Sequence, residues 1–223
     1  MKGVLILILV FSSLRGYTQY DMTIGYFQSF LITKPKEVSA INNSIGAIAG
    51  VGYTKVLSNK CNLQSQAQYQ RNKLIMDGMF VKNNGQYSFT VTPENYKQSY
   101  LTTNSFKIPI MFNYKFFEGK SKIKRRALFW GLGTYAEYFF YNTQHYKINN
   151  KHFKEIAPIQ NKLNYGMQAE LLIVTAPKST TEFFSVIVGA SYQASEYLRS
   201  QSSFKALQVY IRLGLGNTED RSD

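Results

Sequence analysis

The two histidines, His145 and His152, stand seven residues apart with Lys151, Lys154 and Glu155 around them. That spacing gives neither the i, i+4 pair of a helical metal site nor a zinc-ligand signature. Acyl transfer at a membrane surface would need a nucleophile beside a base. Ser105 or Tyr146 with His145 supplies those residue types, but no motif joins them. Gly46, Gly50 and Gly52 recur at a strand period, where glycine makes room for neighbours rather than cradling a phosphate. No enzyme activity, cofactor or metal site is therefore expected. The chemistry lies in six charged residues, Lys107, Lys115, Glu137, Lys162, Glu170 and Arg212, which all sit on the polar parity of alternating segments.

Those segments set the architecture. Over residues 163–173 the odd positions are Leu163, Tyr165, Met167, Ala169, Leu171 and Ile173, whereas the even ones include Asn164, Gly166, Gln168 and Glu170. A period of two is the strand period. Similar runs occupy residues 61–74, 102–117, 127–141, 183–196 and 204–216, and weaker ones 21–32 and 45–57. A strand tilted across a membrane needs about 9–11 residues, which these runs supply. The spacing predicts an all-β, eight-stranded antiparallel up-and-down transmembrane barrel, and an even strand number suits closure. Gln64, Gln66, Gln68 and Gln70 form one inward file that requires partners. Pro109 removes a ladder donor in the fourth run and predicts a bulge there.

The N-terminus addresses the chain to the envelope. Lys2 precedes the short apolar run 3–11, followed by Ser12, Ser13 and the small residues Gly16 and Thr18. The run falls short of the roughly 20 apolar residues of a spanning helix. It reads as a signal peptide over residues 1–19, followed by a barrel over 20–216 and a polar periplasmic tail over 217–223. Cys61 is the single cysteine, which excludes an internal disulfide. The chain has 17 Tyr, 16 Phe and one Trp, and only 17% charged residues. Aromatic girdles and an apolar exterior over a polar lumen produce such a composition. The formal charge of +13 favours anionic surroundings, of which lipid headgroups are the nearest.

Connections alternate between long and short. Long ones cover 33–44, 75–101, 142–158 and 197–203; short ones cover 58–60, 118–126 and 175–182. Barrels of the Gram-negative outer membrane place short turns in the periplasm, so both termini are expected there. Asp77-Gly78 and Asn83-Asn84-Gly85 predict a hairpin within the longest loop. Loops 75–101 and 142–158 are the expected contacts for other envelope proteins. The turn at 118–126 carries Lys120, Lys122, Lys124, Arg125 and Arg126 against Glu118. It suits anionic headgroups, and no nucleic-acid partner is expected.

An eight-stranded barrel leaves an interior only wide enough for side chains or one small ligand. Inward charges are costly there unless paired. Lys107, Glu137 and Lys162 are expected together toward the outer half, and Lys115, Glu170 and Arg212 toward the periplasmic half. Together they predict a plug of ion pairs rather than a pore.

Three passages carry a family resemblance: the run from Gly50-Val51-Gly52-Tyr53 into residues 63–69, then Phe106-Lys107-Ile108-Pro109-Ile110, then Gly131-Leu132-Gly133-Thr134-Tyr135. Through them the chain resembles the small outer-membrane β-barrel domain family that includes the PorT-like proteins. The resemblance implies the barrel fold and outer-membrane location and carries over no catalytic residues; some members are linked to protein secretion across the envelope. A non-enzymatic structural or accessory subunit is the favoured reading. The polar tail departs from the aromatic C-terminus usual in barrels, so either the insertion signal is internal, around residues 209–215, or the tail contacts a periplasmic partner. A lipocalin-like carrier of an apolar ligand is the rival reading, and it would turn the apolar parity inward. A lipid-modifying barrel enzyme is the third.

Overall fold

The computed structural model describes residues 18–33, 44–76, 78–83, 86–91, 96–121, 123–148, 151–156, 162–178, 180–194 and 205–218. The expected leader lies outside them except for residues 18 and 19, which open the first strand, and so does the tail beyond residue 218. The elements are β1 (Thr18–Thr33), β2 (Ser44–Val56), β3 (Cys61–Met76), β4 (Gly78–Asn83), β5 (Gln86–Val91), β6 (Tyr96–Lys120), β7 (Lys124–Ile148), β8 (Lys151–Ile156), β9 (Leu163–Pro177), β10 (Glu182–Gln193) and β11 (Lys205–Thr218). The hydrogen-bonded order β6-β3-β2-β1-β11-β10-β9-β7 is closed by β6 on β7, which makes an antiparallel barrel of eight strands. Closure leaves the ring without an edge. The first and last strands are locked in register from Gln19 opposite Thr218 to Phe30 opposite Leu207.

Parity decides which side each residue takes. On β9 the burial alternates without a break from Leu163 to Leu171, with odd residues exposed and even ones buried. Met22, Ile24, Val51, Phe106, Ile108, Leu132, Met167, Val188, Ile211 and Leu213 stand outward and exposed. So many large apolar side chains on one continuous exterior have no counterpart in a soluble fold, in which exposed apolar patches stay small. Lipid satisfies them, and the barrel is transmembrane. Inward stand the four glutamines of β3, with Lys107, Glu137, Glu170 and Arg212. Lipocalin geometry, with the apolar parity inside, is the reverse of this arrangement.

Apolar residues also fill part of the interior. Phe27, Ile48, Leu172, Ile187 and Tyr210 pack as a buried cluster against Phe129 and Val174. Glycines in register on neighbouring strands make this possible. A Cβ at Gly46 would collide with the Phe27 ring, and one at Gly189 with the Tyr210 hydroxyl. Large and small residues therefore alternate between neighbouring strands around the narrow lumen, as close packing demands.

Three features differ from expectation. Pro109 causes no bulge: β3 and β6 keep one register on both sides of it, from Ser65 opposite Ile110 to Gln68 opposite Lys107. The missing donor leaves a gap in pairing opposite Gln66 and Ala67, and the intact β7 ladder, with Pro109 opposite Tyr135, holds the strand in place. The register shifts on the β6–β7 seam lie between Tyr96 and Ser99, between Asn104 and Ser105 and between Lys115 and Phe117. Second, β6 and β7 each run 25 residues, well past the expected ends at both sides. At their tight end the turn narrows to residues 121–123, where Ser121 Oγ accepts the backbone N–H of Lys124 at 3.0 Å. Third, the expected loop 142–158 is largely strand. β8 pairs with the end of β7 from Thr143 opposite Ile156 to Ile148 opposite Lys151. The predicted hairpin in the longest connection is present as a separate two-stranded sheet, β4 with β5, from Gly78 opposite Val91 to Asn83 opposite Gln86.

Candidate functional site

The barrel interior holds a polar network built on alternate residues of β1, β3, β9 and β11. Arg212 enters from β11 and is 1% exposed. One guanidinium nitrogen, Nη2, forms an ion pair with Glu170 Oε2 of β9, and the other, Nη1, donates to Gln66 Oε1 of β3. Tyr210 donates its hydroxyl to the same Glu170 oxygen at 3.0 Å. Gln66 also accepts from Gln68 Nε2 at 2.6 Å and donates to Asp21 Oδ2 at 3.3 Å. The glutamine file continues from Gln70 to Gln68 at 3.4 Å, and Gln64 accepts from Asn113 at 3.3 Å. Arg212 thereby ties strands from opposite sides of the ring. Its planar fork suits two acceptors at once.

Lys107 anchors a second group. It lies opposite Glu137 in the β6–β7 register. Its ammonium turns to Ser191 Oγ of β10 at 2.9 Å and Gln208 Oε1 of β11 at 3.4 Å, and stands 3.9 Å from the centre of the Tyr135 ring. Glu137 accepts from Ser105 Oγ at 2.6 Å. Lys107 thus spans the lumen from β6 to β10 and β11. The two cross-links lie at different levels of the lumen, and Arg212 and Lys107 are each held by several partners.

The six predicted charges divide accordingly. Arg212 and Glu170 meet directly, whereas Lys107 and Glu137 are register neighbours that bond to other residues. Lys115 does not reach Glu170 or Arg212, because it pairs with Glu118 at 2.7 Å beside the tight turn. Lys162 is exposed and precedes β9, where its carbonyl accepts the Phe139 N–H. Strand ends, where parity no longer enforces burial, account for both. Gln66 belongs to the expected glutamine file, and Asp21, Tyr135, Ser191 and Gln208 are further members that sequence reasoning missed. The inward parity of Gln66, Ser191 and Gln208 was legible, but their partners lie across the ring.

A cavity of about 310 Å³ opens at the tight-turn end, lined in part by Asp21, Gln64, Lys115, Arg125, Arg126 and Phe129. Asp21 and Gln64 belong to both its wall and the polar network, so the cross-links lie at its inner end. The residues considered for acyl chemistry each hydrogen-bond to other partners. Ser105 faces the lumen and donates to Glu137, His145 shares a hydrogen bond with Thr143 Oγ1 at 3.3 Å, and Tyr146 donates to Glu155 at 2.6 Å. His145 and His152 lie on β7 and β8, and no group of metal-ligating side chains forms among the described residues.

No family model matches the chain, and no curated protein matches it by sequence. Solved structures do match. The outer membrane protein OprG from Pseudomonas aeruginosa is 10% identical with a TM-score of 0.52, over 93% of this chain and 98% of that one. Ail, the attachment invasion locus protein of Yersinia pestis, is 10% identical over 92% and 99% of the two chains, with a TM-score of 0.38. Neisserial surface protein A is 8% identical over 91% and 99%, also at 0.38. At such identities the likeness to OprG concerns the fold alone. The chain has the fold of a small outer-membrane β-barrel of eight strands.

Proposed function

We propose that this protein is a non-enzymatic integral barrel of the Gram-negative outer membrane, with a lumen plugged by side chains and both termini in the periplasm. It serves as a structural or accessory subunit of an envelope assembly. The observation that carries this reading is the combination of a continuous apolar exterior with a lumen crossed by Arg212–Glu170 and Lys107–Ser191. The exterior accounts for the membrane, and the cross-links argue against solute passage. The orientation rests on connection lengths, since the short turns and both strand termini share one end. Partner binding falls to the long-connection end, where the β4–β5 hairpin and β8 extend the chain past the ring. The PorT-like resemblance supports a role in secretion.

Two readouts test this. Unheated and heated outer-membrane fractions of the expressed protein are compared by gel mobility, and the purified protein is recorded in planar bilayers. Recovery in the outer membrane with a heat-dependent shift, and bilayers without stable large conductance, are expected. A soluble periplasmic product would remove the membrane reading, and stable open channels would remove the plug.

A further inference from the structure

The outer surface changes character abruptly at the long-connection end. Tyr69, Phe106 and Phe140 form an exterior aromatic cluster, with ring centres 5.0 to 6.2 Å apart. Tyr69 donates its hydroxyl to Asn104 Oδ1 at 2.7 Å, and Asn104 Nδ2 donates to the Tyr141 carbonyl at 3.0 Å. An aromatic body below and a polar tip above mark the level of a membrane interface. On the same face, the next outward residue of β3 is Arg71, opposite Asn104, and the one after is Lys73, opposite Thr102. Two strand residues span roughly 6–7 Å, so both cations stand where headgroups begin.

The outer ends of β6 and β7, joined by β8, converge on that level. Tyr100, His145 and Lys154 form one cross-strand row over β6, β7 and β8. The Tyr100 and His145 rings stack with centres 4.5 Å apart, and Lys73 Nζ lies 4.2 Å from the Tyr100 centre. Lys147 follows His145 on the same face, opposite His152. The row borders a recess of about 400 Å³ lined in part by Tyr100, His145, Tyr146, Lys147, His152 and Lys154. Partial burial, then the charges of Lys154, Lys73 and Arg71, hold the His145 pKa below the ordinary histidine value. These cations therefore surround one imidazole. The described parts of β3, β6, β7 and β8 at this end carry a single carboxylate, Glu155, which is engaged by Tyr146. Among the described residues of these strands at this end, no other carboxylate neutralises the cluster.

We propose that Arg71, Lys73, Lys147 and Lys154 form a docking site for the phosphate-bearing headgroup of a lipid in the leaflet that meets this rim. The inference rests on the membrane-spanning reading above. A lipid brings both parts of the match, acyl chains against the aromatic cluster and phosphate against the cations. Their long side chains lie along apolar surface while their charges reach the headgroup level. Tyr100 and His145, held as a stacked pair, give a flat wall for the sugar or glycerol that carries the phosphate.

The test uses the full-length protein inserted in phosphatidylcholine vesicles containing a minor fraction of lipid A, either with both phosphates or dephosphorylated. Native mass spectrometry of the released protein reads the retained lipid. Wild type should retain phosphorylated lipid A and lose it when the phosphates are removed. R71Q/K73Q/K154Q should bind about fivefold more weakly per charge removed, on the order of a hundredfold in all. K124Q/R125Q/R126Q, at the opposite end, should leave retention within about twofold. A heat-dependent mobility shift in each variant verifies insertion independently, so failure of wild type to insert would strike the membrane reading and the inference with it. Equal retention in both triple variants would overturn the site in favour of net charge. Binding of a soluble heparin fragment, with no lipid retained, would overturn the lipid assignment.

Discussion

Arg212 of β11 and Glu170 of β9 are ion-paired inside the lumen, bridging the two strands that flank β10, and both side chains are almost wholly buried. Removing one partner from such a pair leaves an uncompensated charge, at a cost of about 3–5 kcal/mol. R212A should therefore lower the urea midpoint at which the unheated, fast-migrating form is lost. R212M/E170L, which removes both charges and keeps volume, should recover most of that loss. Equal midpoints for wild type and R212A would show that the pair carries no stability.

Gly46 sits opposite Phe27 across the β1–β2 seam, and any side chain there collides with a fully buried ring. Overpacking of this kind costs typically 1–3 kcal/mol. G46V should reduce the yield of heat-modifiable barrel, and G46V/F27A should restore it. G189V should respond in the same way to Y210A. Refolding yield in detergent micelles checks both.

Leu213 lies mid-strand on the exterior, and Leu215 lies nearer the tight-turn end of the same strand. A charge facing lipid costs about 2–4 kcal/mol at the bilayer midplane and roughly 0–1 near the interface. L213R should be strongly destabilised and L215R much less so, as read by equilibrium unfolding in vesicles. A soluble barrel with its apolar core inside would tolerate both arginines equally.

The lowered pKa of His145 has a definite sign. Between the ordinary histidine value and the folded value, the unfolded chain binds more protons, so stability rises with pH through that window. It is lost as pH falls through the ordinary histidine range, and the effect saturates below the folded pKa. Amide exchange at Tyr146 and Lys147 should accelerate on acidification in wild type and not in H145Q. Removing Lys154, Lys73 or Arg71 should raise the His145 titration midpoint followed by NMR. A midpoint indifferent to all three would contradict the convergence of charge at this rim.

The sides of the sheet were legible because parity is strictly local. Tyr165 and Met167 against Gly166 and Gln168 already separate lipid from lumen without knowledge of any partner. The hairpin of β4 and β5 was legible for the same reason, through Asn83-Asn84-Gly85. The Arg212–Glu170 pair was harder. It depends on how far strands stagger around the ring, so it emerged only as a shared half of the lumen, and that grouping wrongly included Lys115. The outer ends of β6 and β7 were hidden because Thr143, Gln144, His145 and Lys147 lack the apolar alternation of a lipid-facing strand. Beyond the bilayer, aromatic stacking such as Tyr146 on Phe153, at 5.2 Å, sustains the sheet instead. Pro109 misled because a lost donor was equated with a shifted register, when a gap in one seam suffices.

The most direct test of the membrane-spanning account is nitroxide scanning along β9 in a Cys61→Ser background, with single cysteines from position 163 to 171 in lipid vesicles. Oxygen, which concentrates in the bilayer, reports lipid exposure by collision with each label. The account predicts high oxygen accessibility at 163, 165, 167, 169 and 171 and low accessibility at the even positions between them. Reversed parity, or odd positions that respond only to a water-soluble relaxer, would contradict it.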